Sequence, residues 1–237
     1  MKELLQQIAD NAIFIAISAA IIVALFAVAK LAEAFLPKHR NVSPTKRLCI
    51  VSICAAIAAV LHILDFPLLF LAPEFYKLDF SELPVMLCGF YLGPSATVAC
   101  EALKIILKLL LKGTSTAFVG DFANLVVGCS LVLPAVIIYR AKHTRAGALW
   151  GLVLGTFVLT VFGSAFNAIY LLPKFSAIYG IPLDSIIAMG TAVNGNIHSL
   201  STFVLFAVAP LNLVKGILVS ILTFLLYKRV ARPLLGK

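Results

Sequence analysis

The chain has 237 residues, of which 62% are hydrophobic and only 12% are charged, and its mean hydropathy is +1.08. A soluble domain carries about 25% charged residues, so this composition excludes an ordinary soluble protein. The net charge of +9 does not indicate nucleic-acid binding, because the basic residues cluster in short loops between long apolar runs. The five cysteines follow no metal-ligand spacing and are interpreted as small core hydrophobes.

The apolar runs predict seven membrane-spanning helices. A run of about 20 apolar residues can cross a bilayer, and its backbone groups must pair within the segment, which favours helices over irregular structure. The alternating pattern of a transmembrane barrel does not occur. Ala32-Glu33-Ala34 matches a signal-peptide cleavage pattern, but the apolar run before it is too long, so we interpret it as part of a retained helix. The predicted spans are 8–36, 47–64, 80–92, 94–111, 117–139, 147–171 and 204–228.

The distribution of charge predicts the orientation of these spans. Basic residues lie between the first two spans, between the fifth and sixth spans, and in the tail, whereas the acidic loop residues lie in the other connections. If seven spans alternate, the three basic segments share one side, which the positive-inside rule places in the cytoplasm. The sequence therefore predicts a multi-pass protein of the cell membrane with its N-terminus outside and its C-terminus in the cytoplasm.

Polar side chains inside four of the predicted spans lie at a similar depth, toward the outer side. Ionisable groups within a membrane span are costly and indicate a functional site by default. Their arrangement predicts a pocket that opens to the exterior of an otherwise apolar bundle. The alternative is that they only pair with one another and hold the helices together. These residues are Glu101 and Lys104, Asp121 and Asn124, Asn167 and Tyr170, and Asn212 and Lys215.

Two long outer segments flank this predicted pocket. The segment 66–80 is aromatic and contains two prolines, so it could lie along the membrane surface or fold over the pocket as a lid. The segment 172–203 contains prolines, glycines and asparagines and could cover the pocket from the other side.

Sequence motifs for catalysis are absent. There is no Walker A sequence, no His-Glu-x-x-His and no Gly-x-Ser-x-Gly, and the four histidines are scattered along the chain. The sequence therefore predicts no catalytic residue, no metal site, no bound cofactor and no enzymatic activity.

Three motifs resemble those of a known family. They are Leu78-Asp79-Phe80-Ser81-Glu82-Leu83-Pro84, Gly120-Asp121-Phe122-Ala123-Asn124 and Pro210-Leu211-Asn212-Leu213-Val214-Lys215-Gly216. In this order they resemble the riboflavin-specific S components of energy-coupling factor (ECF) transporters, from about residue 46 to about residue 232. The resemblance implies an all-α, six-helix membrane domain at 46–237, with residues 1–45 providing an additional N-terminal transmembrane helix and a basic loop.

The resemblance also implies function and partners. Riboflavin would be captured from outside and released inside by an ATP-driven module, which consists of a transmembrane coupling protein and two ABC ATPases. Ala55 and Ala59 would contact the coupling protein, because alanines at this spacing let a second helix approach closely. The predicted substrate-binding residues are Leu78, Asp79, Phe80, Glu101, Lys104, Gly120, Asp121, Asn124, Asn167, Tyr170, Asn212 and Lys215.

Roles within this set follow from the chemistry of riboflavin. The asparagines suit its uracil-like edge, since an amide both donates and accepts hydrogen bonds. Asp79, Asp121 and Lys215 could bind the ribityl hydroxyls, and Phe80, Phe122 and Tyr170 could face the ring system. The alternatives are an S component for another vitamin, a flavin exporter, a membrane-embedded enzyme that acts on lipid, and a purely structural subunit.

Overall fold

The computed structural model of the chain describes residues 2–37 and 42–235, and the side chains of residues 16–37 and 42–229. This part of the chain is almost entirely helical, which confirms the fold class of an α-helical membrane protein. A two-stranded antiparallel hairpin lies between the second and third helices. The elements are α1 (Lys2–Phe35), α2 (Pro44–Ile63), β1 (Phe66–Pro67), β2 (Lys77–Leu78), α3 (Glu82–Leu92), α4 (Pro94–Lys112), α5 (Val119–Lys142), α6 (Arg145–Phe166), α7 (Leu172–Tyr179), α8 (Leu183–Val193), α9 (Leu200–Phe203) and α10 (Ala209–Leu235).

Five helical segments among the described residues are long and apolar enough to cross a membrane. Helix α3 is shorter than the usual span, and α4 carries four charged residues, so neither meets the same criterion of length and composition. Helices nevertheless occupy all seven predicted spans. The division into six core helices and one additional helix stays a prediction. The five segments are Ala16–Phe35, Pro44–Ile63, Val119–Lys142, Arg145–Tyr179 and Leu200–Arg229.

The segment 172–203, which the sequence predicts as a long outer segment that could cover the pocket, is mostly helical. A π-helical turn at Asn167–Leu171 joins α6 directly to α7, and a second π-helical turn at Val204–Val208 joins α9 to α10. Pro173 directly follows the first of these π-helical turns, at the start of α7. Gly180 ends the same helix with a φ of +63°. Gly180 and Pro182 therefore separate α7 from α8, whereas Gly190 lies within α8.

Small residues allow α5, α6 and α10 to pack closely. A Cβ atom on Gly151 would lie 2.6 Å from the carbonyl oxygen of Ala135, and one on Gly155 would overlap the carbonyl of Leu131. Such contacts are typical of helices that associate in a membrane. The main core lies between α2, α3, α4, α5, α6 and α10. Cys88, Cys100 and Cys129 are buried and Cys54 is partly buried, as predicted, whereas Cys49 is exposed.

Candidate functional site

A cavity of about 380 Å³ lies at the end of the bundle where α2 and α4 finish and α5 begins. Its wall also includes residues of the β-hairpin, of the loop at 113–116, of the π-helical turn at Asn167–Leu171 and of α10. Pockets for small ligands span roughly 300–1,000 Å³, so this volume suits a vitamin-sized molecule. The lining is mixed, with amide, carboxylate and ammonium groups beside aromatic and aliphatic ones.

The hairpin segment forms one side of this cavity. The Tyr76 hydroxyl donates to Asn167 Oδ1 at 2.8 Å, and Asn167 Nδ2 donates to the carbonyl of Gly163 at 2.7 Å. Burial raises the pKa of Tyr76, so its hydroxyl stays protonated and available as a donor. Of the two possibilities for segment 66–80, the structure places part of it against the pocket, where it fixes the orientation of a buried amide.

The loop before α5 forms the opposite rim. Asp121 accepts hydrogen bonds from Lys108 Nζ at 2.5 Å and from Thr114 Oγ1 at 2.6 Å. Thr116 Oγ1 accepts from the backbone N–H of Gly120 at 3.0 Å, which satisfies a free donor in the first turn of α5. The carboxylate of Asp121 is thereby held at the cavity surface by a cation and a hydroxyl.

Beneath the cavity, buried charges form one connected network. Lys215 Nζ lies 3.1 Å from Asp79 Oδ2 and 3.0 Å from Glu82 Oε1, so it joins α10 to the start of α3. Lys104 lies 3.5 Å from Glu82 Oε1 and also pairs with Glu101 on its own helix. These three carboxylates and two ammonium groups are 0–14% exposed. Each of these groups lies within 4 Å of a group of opposite charge, which offsets the cost of its burial, although the carboxylates outnumber the ammonium groups by three to two.

Asp79 connects this network to the cavity wall. Its side chain is 4% exposed, accepts from the backbone N–H of Ser81 at 2.8 Å and lies 3.4 Å from His62 Nδ1. Burial alone would raise the pKa of Asp79, but Lys215 and His62 hold it well below its usual value. Asp79 therefore presents a carboxylate to the cavity throughout the physiological pH range.

Asn212 has a donor without a partner. Its side-chain nitrogen Nδ2 is buried and makes no hydrogen bond among the described residues, although Asn212 lines the cavity. Gly163 of α6 lies against this amide, since a Cβ atom there would come 2.9 Å from Nδ2. A buried amide donor without a partner is costly, but Nδ2 lies against Gly163 with no exposed surface, so a ligand in the cavity could accept from it only after the side chain turns.

The structure brings seven of the twelve predicted binding residues to the cavity. They come from four separate parts of the chain, and three of these, in α5, in the π-helical turn at Asn167–Leu171 and in α10, belong to the predicted pattern of polar residues, whereas Glu101 and Lys104 of the fourth predicted span do not line the cavity. Their contacts with a ligand stay predictions. The seven are Asp79, Gly120, Asp121, Asn124, Asn167, Asn212 and Lys215.

The other five predicted residues lie outside the cavity lining. Leu78 is buried, and Phe80 packs against Phe66 with ring centroids 6.2 Å apart. Glu101 and Lys104 are fully buried in the network beneath the cavity. Tyr170 packs against Phe166 at 5.1 Å on the neighbouring turn. In the described conformation these side chains can act on a ligand only through their neighbours.

Phe122, a predicted wall for the ring system, is instead buried in a cluster between α4 and α5. Phe75 and Phe175 line the cavity instead. Sequence reasoning left them out because nothing in their spacing distinguishes them from other aromatic residues near the membrane surface. His62 and Glu82 were also missed, since their partners are 17 or more positions away along the chain.

The predicted interface at Ala55 and Ala59 requires a correction. Both side chains are fully buried within the chain, because this face of α2 packs against α3 and α4. The i, i+4 spacing shows which residues share a face, but not which face points outward. Small residues on the exposed face of α2 are Ser52 and Ala56.

Comparisons with known proteins agree with this arrangement. The family model described as the substrate-specific component of ECF transporters matches residues 46–227. The riboflavin transporter RibU of Staphylococcus aureus is 35% identical over 191 residues, covering 81% of this chain and 93% of that protein. The riboflavin transporter FmnP of Bacillus subtilis is 31% identical over 183 residues, covering 77% of this chain and 90% of its own length.

A solved structure of the S component of a bacterial ECF transporter is also similar. It is 34% identical to this chain, with a TM-score of 0.63, and the match covers 81% of this chain and 99% of that protein. The family match spans more than three quarters of the chain and includes every residue that lines the cavity. The chain therefore belongs to the family of substrate-specific components of ECF transporters.

Proposed function

We propose that this chain is the riboflavin-binding subunit of an ECF transporter, which captures the vitamin from outside for ATP-driven uptake. The family consists of substrate-specific transporter components and not of enzymes. Two relatives that the chain covers over 90% or more of their length are named riboflavin transporters. Riboflavin is then the transported ligand and not a cofactor of the protein.

The observation that carries the proposal is that three asparagine side chains, Asn124, Asn167 and Asn212, line one cavity. Riboflavin has a uracil-like edge with alternating donors and acceptors, and the amide of Asn212 could turn its donor or its acceptor toward this edge. Asn124 and Asn167 line the same cavity and add further amide groups. Asp79, Asp121 and Lys215 then serve the hydroxyl groups of the ribityl chain.

The apolar part of the lining suits the flat ring system. Phe75 and Phe175 provide aromatic walls, and Val127, Leu171 and Leu211 provide aliphatic ones. An aromatic ligand ring packs on such surfaces by burial of apolar area and by offset stacking. Aromatic and amide groups in one cavity therefore match both halves of the ligand.

We further propose seven spans, with the N-terminus outside, residues 1–45 as the additional helix and loop, and 46–237 as the binding domain. The cavity lies near His62 at the end of α2 and Gly120 at the start of α5. The basic Arg47 and Arg140 lie near the opposite ends of the same two helices. The positive-inside rule places the ends with basic residues in the cytoplasm, which supports a cavity that opens to the outside.

The proposed partners are a transmembrane coupling protein and two ABC ATPases. We place the contact with the coupling protein on the exposed face of α2, where Ser52 and Ala56 offer small side chains at i, i+4 spacing. The partner module would supply the ATP hydrolysis for which this chain has no P-loop.

Replacement of Asn212 tests the proposal. We expect Asn212→Ala to weaken riboflavin binding at least about tenfold, because one buried hydrogen bond to the ligand is lost. The matched control is Asn196→Ala, which changes an exposed asparagine outside the cavity. The measurement is quenching of riboflavin fluorescence by the purified variants. Equal affinity of the two variants would contradict the assignment of Asn212.

A further inference from the structure

Helix α1 lies outside the part of the chain that the family shares. The family match begins at residue 46, and 81% of this chain suffices to cover 99% of the solved S component. The match to FmnP likewise covers 77% of this chain and 90% of that protein. The role of α1 is therefore inferred from its contacts with the rest of this chain.

One face of α1 packs along α4 and α5. Ala29 is fully buried in a cluster with Val98 and Ile105 of α4 and with Val126 and Cys129 of α5. The spacing of the α1 side chains in this contact corresponds to one helical face. These side chains are Ile21, Ile22, Leu25, Phe26 and Ala29.

A carboxylate fixes the end of this contact. Glu33 Oε1 accepts from the backbone N–H of Ser95 at 2.9 Å and from the Ser95 hydroxyl at 2.7 Å. Arg47 Nη2 lies 4.0 Å from the same oxygen and donates to Ser95 Oγ at 2.7 Å. Glu33 thus joins α1 to the first turn of α4 and to the first turn of α2.

The first turn of α4 has no local side-chain cap, because Gly93 occupies the N-cap position. The free N–H groups and the helix dipole at this end favour a negative charge. Gly93 also leaves room for the carboxylate: a Cβ atom there would lie 3.1 Å from Glu33 Oε1, and its φ of +102° favours glycine. Glu33 provides from a distant helix the cap that α4 lacks.

We propose that α1 is a built-in docked helix and that Glu33 is the latch that holds it on the α4–α5 face. This face is then closed to other helices, so the coupling protein binds the exposed face of α2 without displacing α1. The binding of the coupling protein to α2 rests on the proposed function, whereas the role of Glu33 in holding α1 does not.

Hydrogen–deuterium exchange of the full-length protein tests the latch. We expect Glu33→Ala to speed exchange by roughly fivefold in peptides that contain Ser95, and to speed it in α1. Glu33→Gln should have a smaller effect, because the amide oxygen can still accept from Ser95 while the attraction to Arg47 is lost. The control is Glu74→Ala, which removes an exposed glutamate of the hairpin segment. If the peptides that contain Ser95 exchange at the same rate in Glu33→Ala and in the control, the proposal that Glu33 holds α1 in place is wrong.

The same exchange measurement on the assembled transporter tests the closed face. Assembly with the coupling protein and ATPases should protect the exposed face of α2 and leave α1 and the start of α4 unchanged. Altered exchange in α1 upon assembly would overturn this part of the proposal. Riboflavin affinity is measured separately on the same samples. A protein that shows the Glu33 effect but binds no flavin keeps the latch and loses the proposed function.

Discussion

Lys104 offers a test of the ionic network beneath the cavity. Its side chain is fully buried and pairs with Glu82 and Glu101, which are also buried. The variant Lys104→Met keeps most of the side-chain length and apolar packing but removes the charge. Lys215 would still pair with Asp79 and Glu82, but it makes no ion pair with Glu101, so Glu101 would lose its cationic partner.

Removing one partner of a buried ion pair costs about 3–5 kcal/mol, because the other charge stays buried without compensation. Lys112 provides a matched control. Its side chain is 45% exposed and lies 3.5 Å from Asp65, so Lys112→Met should cost less than about 1 kcal/mol. The two variants make the same chemical change at two depths.

Thermal unfolding in one detergent, without riboflavin, compares the two variants. A loss of 1 kcal/mol lowers the Tm by roughly 2–4 °C in a chain of this size, so we expect Lys104→Met to unfold about 6–20 °C lower than wild type. The double variant Lys104→Met/Glu101→Gln should recover part of this loss, because it also removes the unpaired carboxylate. A Tm equal to that of Lys112→Met, or no recovery in the double variant, would refute the network's contribution.

Three further changes address the cavity wall. Tyr76→Phe leaves the amide oxygen of the π-helical turn without its donor, and riboflavin affinity from fluorescence titration should fall about tenfold. Gly163→Ala should displace the amide of Asn212 and weaken binding in the same titration, whereas Gly195→Ala, with nothing within 4 Å, should not; equal affinities would contradict this. Because the pKa of Asp79 is lowered, its contribution to stability should be constant above about pH 5 and be lost only below about pH 4. The difference in Tm between wild type and Asp79→Asn, measured against pH, checks this.

The sequence predicted the helical fold and much of the cavity because both depend on local signals. Apolar runs of sufficient length fold as helices in lipid whatever their neighbours, so the positions of the spans follow from composition. The polar residues Asp121, Asn167 and Asn212 were recognised because each is costly in an apolar segment unless it has a partner or a function.

The depth and direction of individual side chains could not be predicted in this way. Lys104 and Glu101 share a helical face, but only packing against α3 determines that this face lies beneath the cavity. The same holds for Ala55 and Ala59, whose face of α2 is covered by neighbouring helices. Helical periodicity groups residues into faces, and tertiary packing decides which face is covered.

The latch at Glu33 shows the same limit at longer range. The acidic residue near the end of an apolar helix was visible in the sequence, but its partner Ser95 is 62 positions away. No local pattern links the two residues. Only the packing of α1 on α4 brings the carboxylate to an uncapped helix end.

The most direct measurement is a titration of the purified wild-type protein with riboflavin, followed by fluorescence and by the absorbance spectrum of the purified sample. We expect tight quenching with one riboflavin per chain, together with a flavin absorbance band if the ligand is retained during purification. Well-folded protein that neither quenches riboflavin fluorescence nor carries a flavin would contradict the assignment of riboflavin as the ligand.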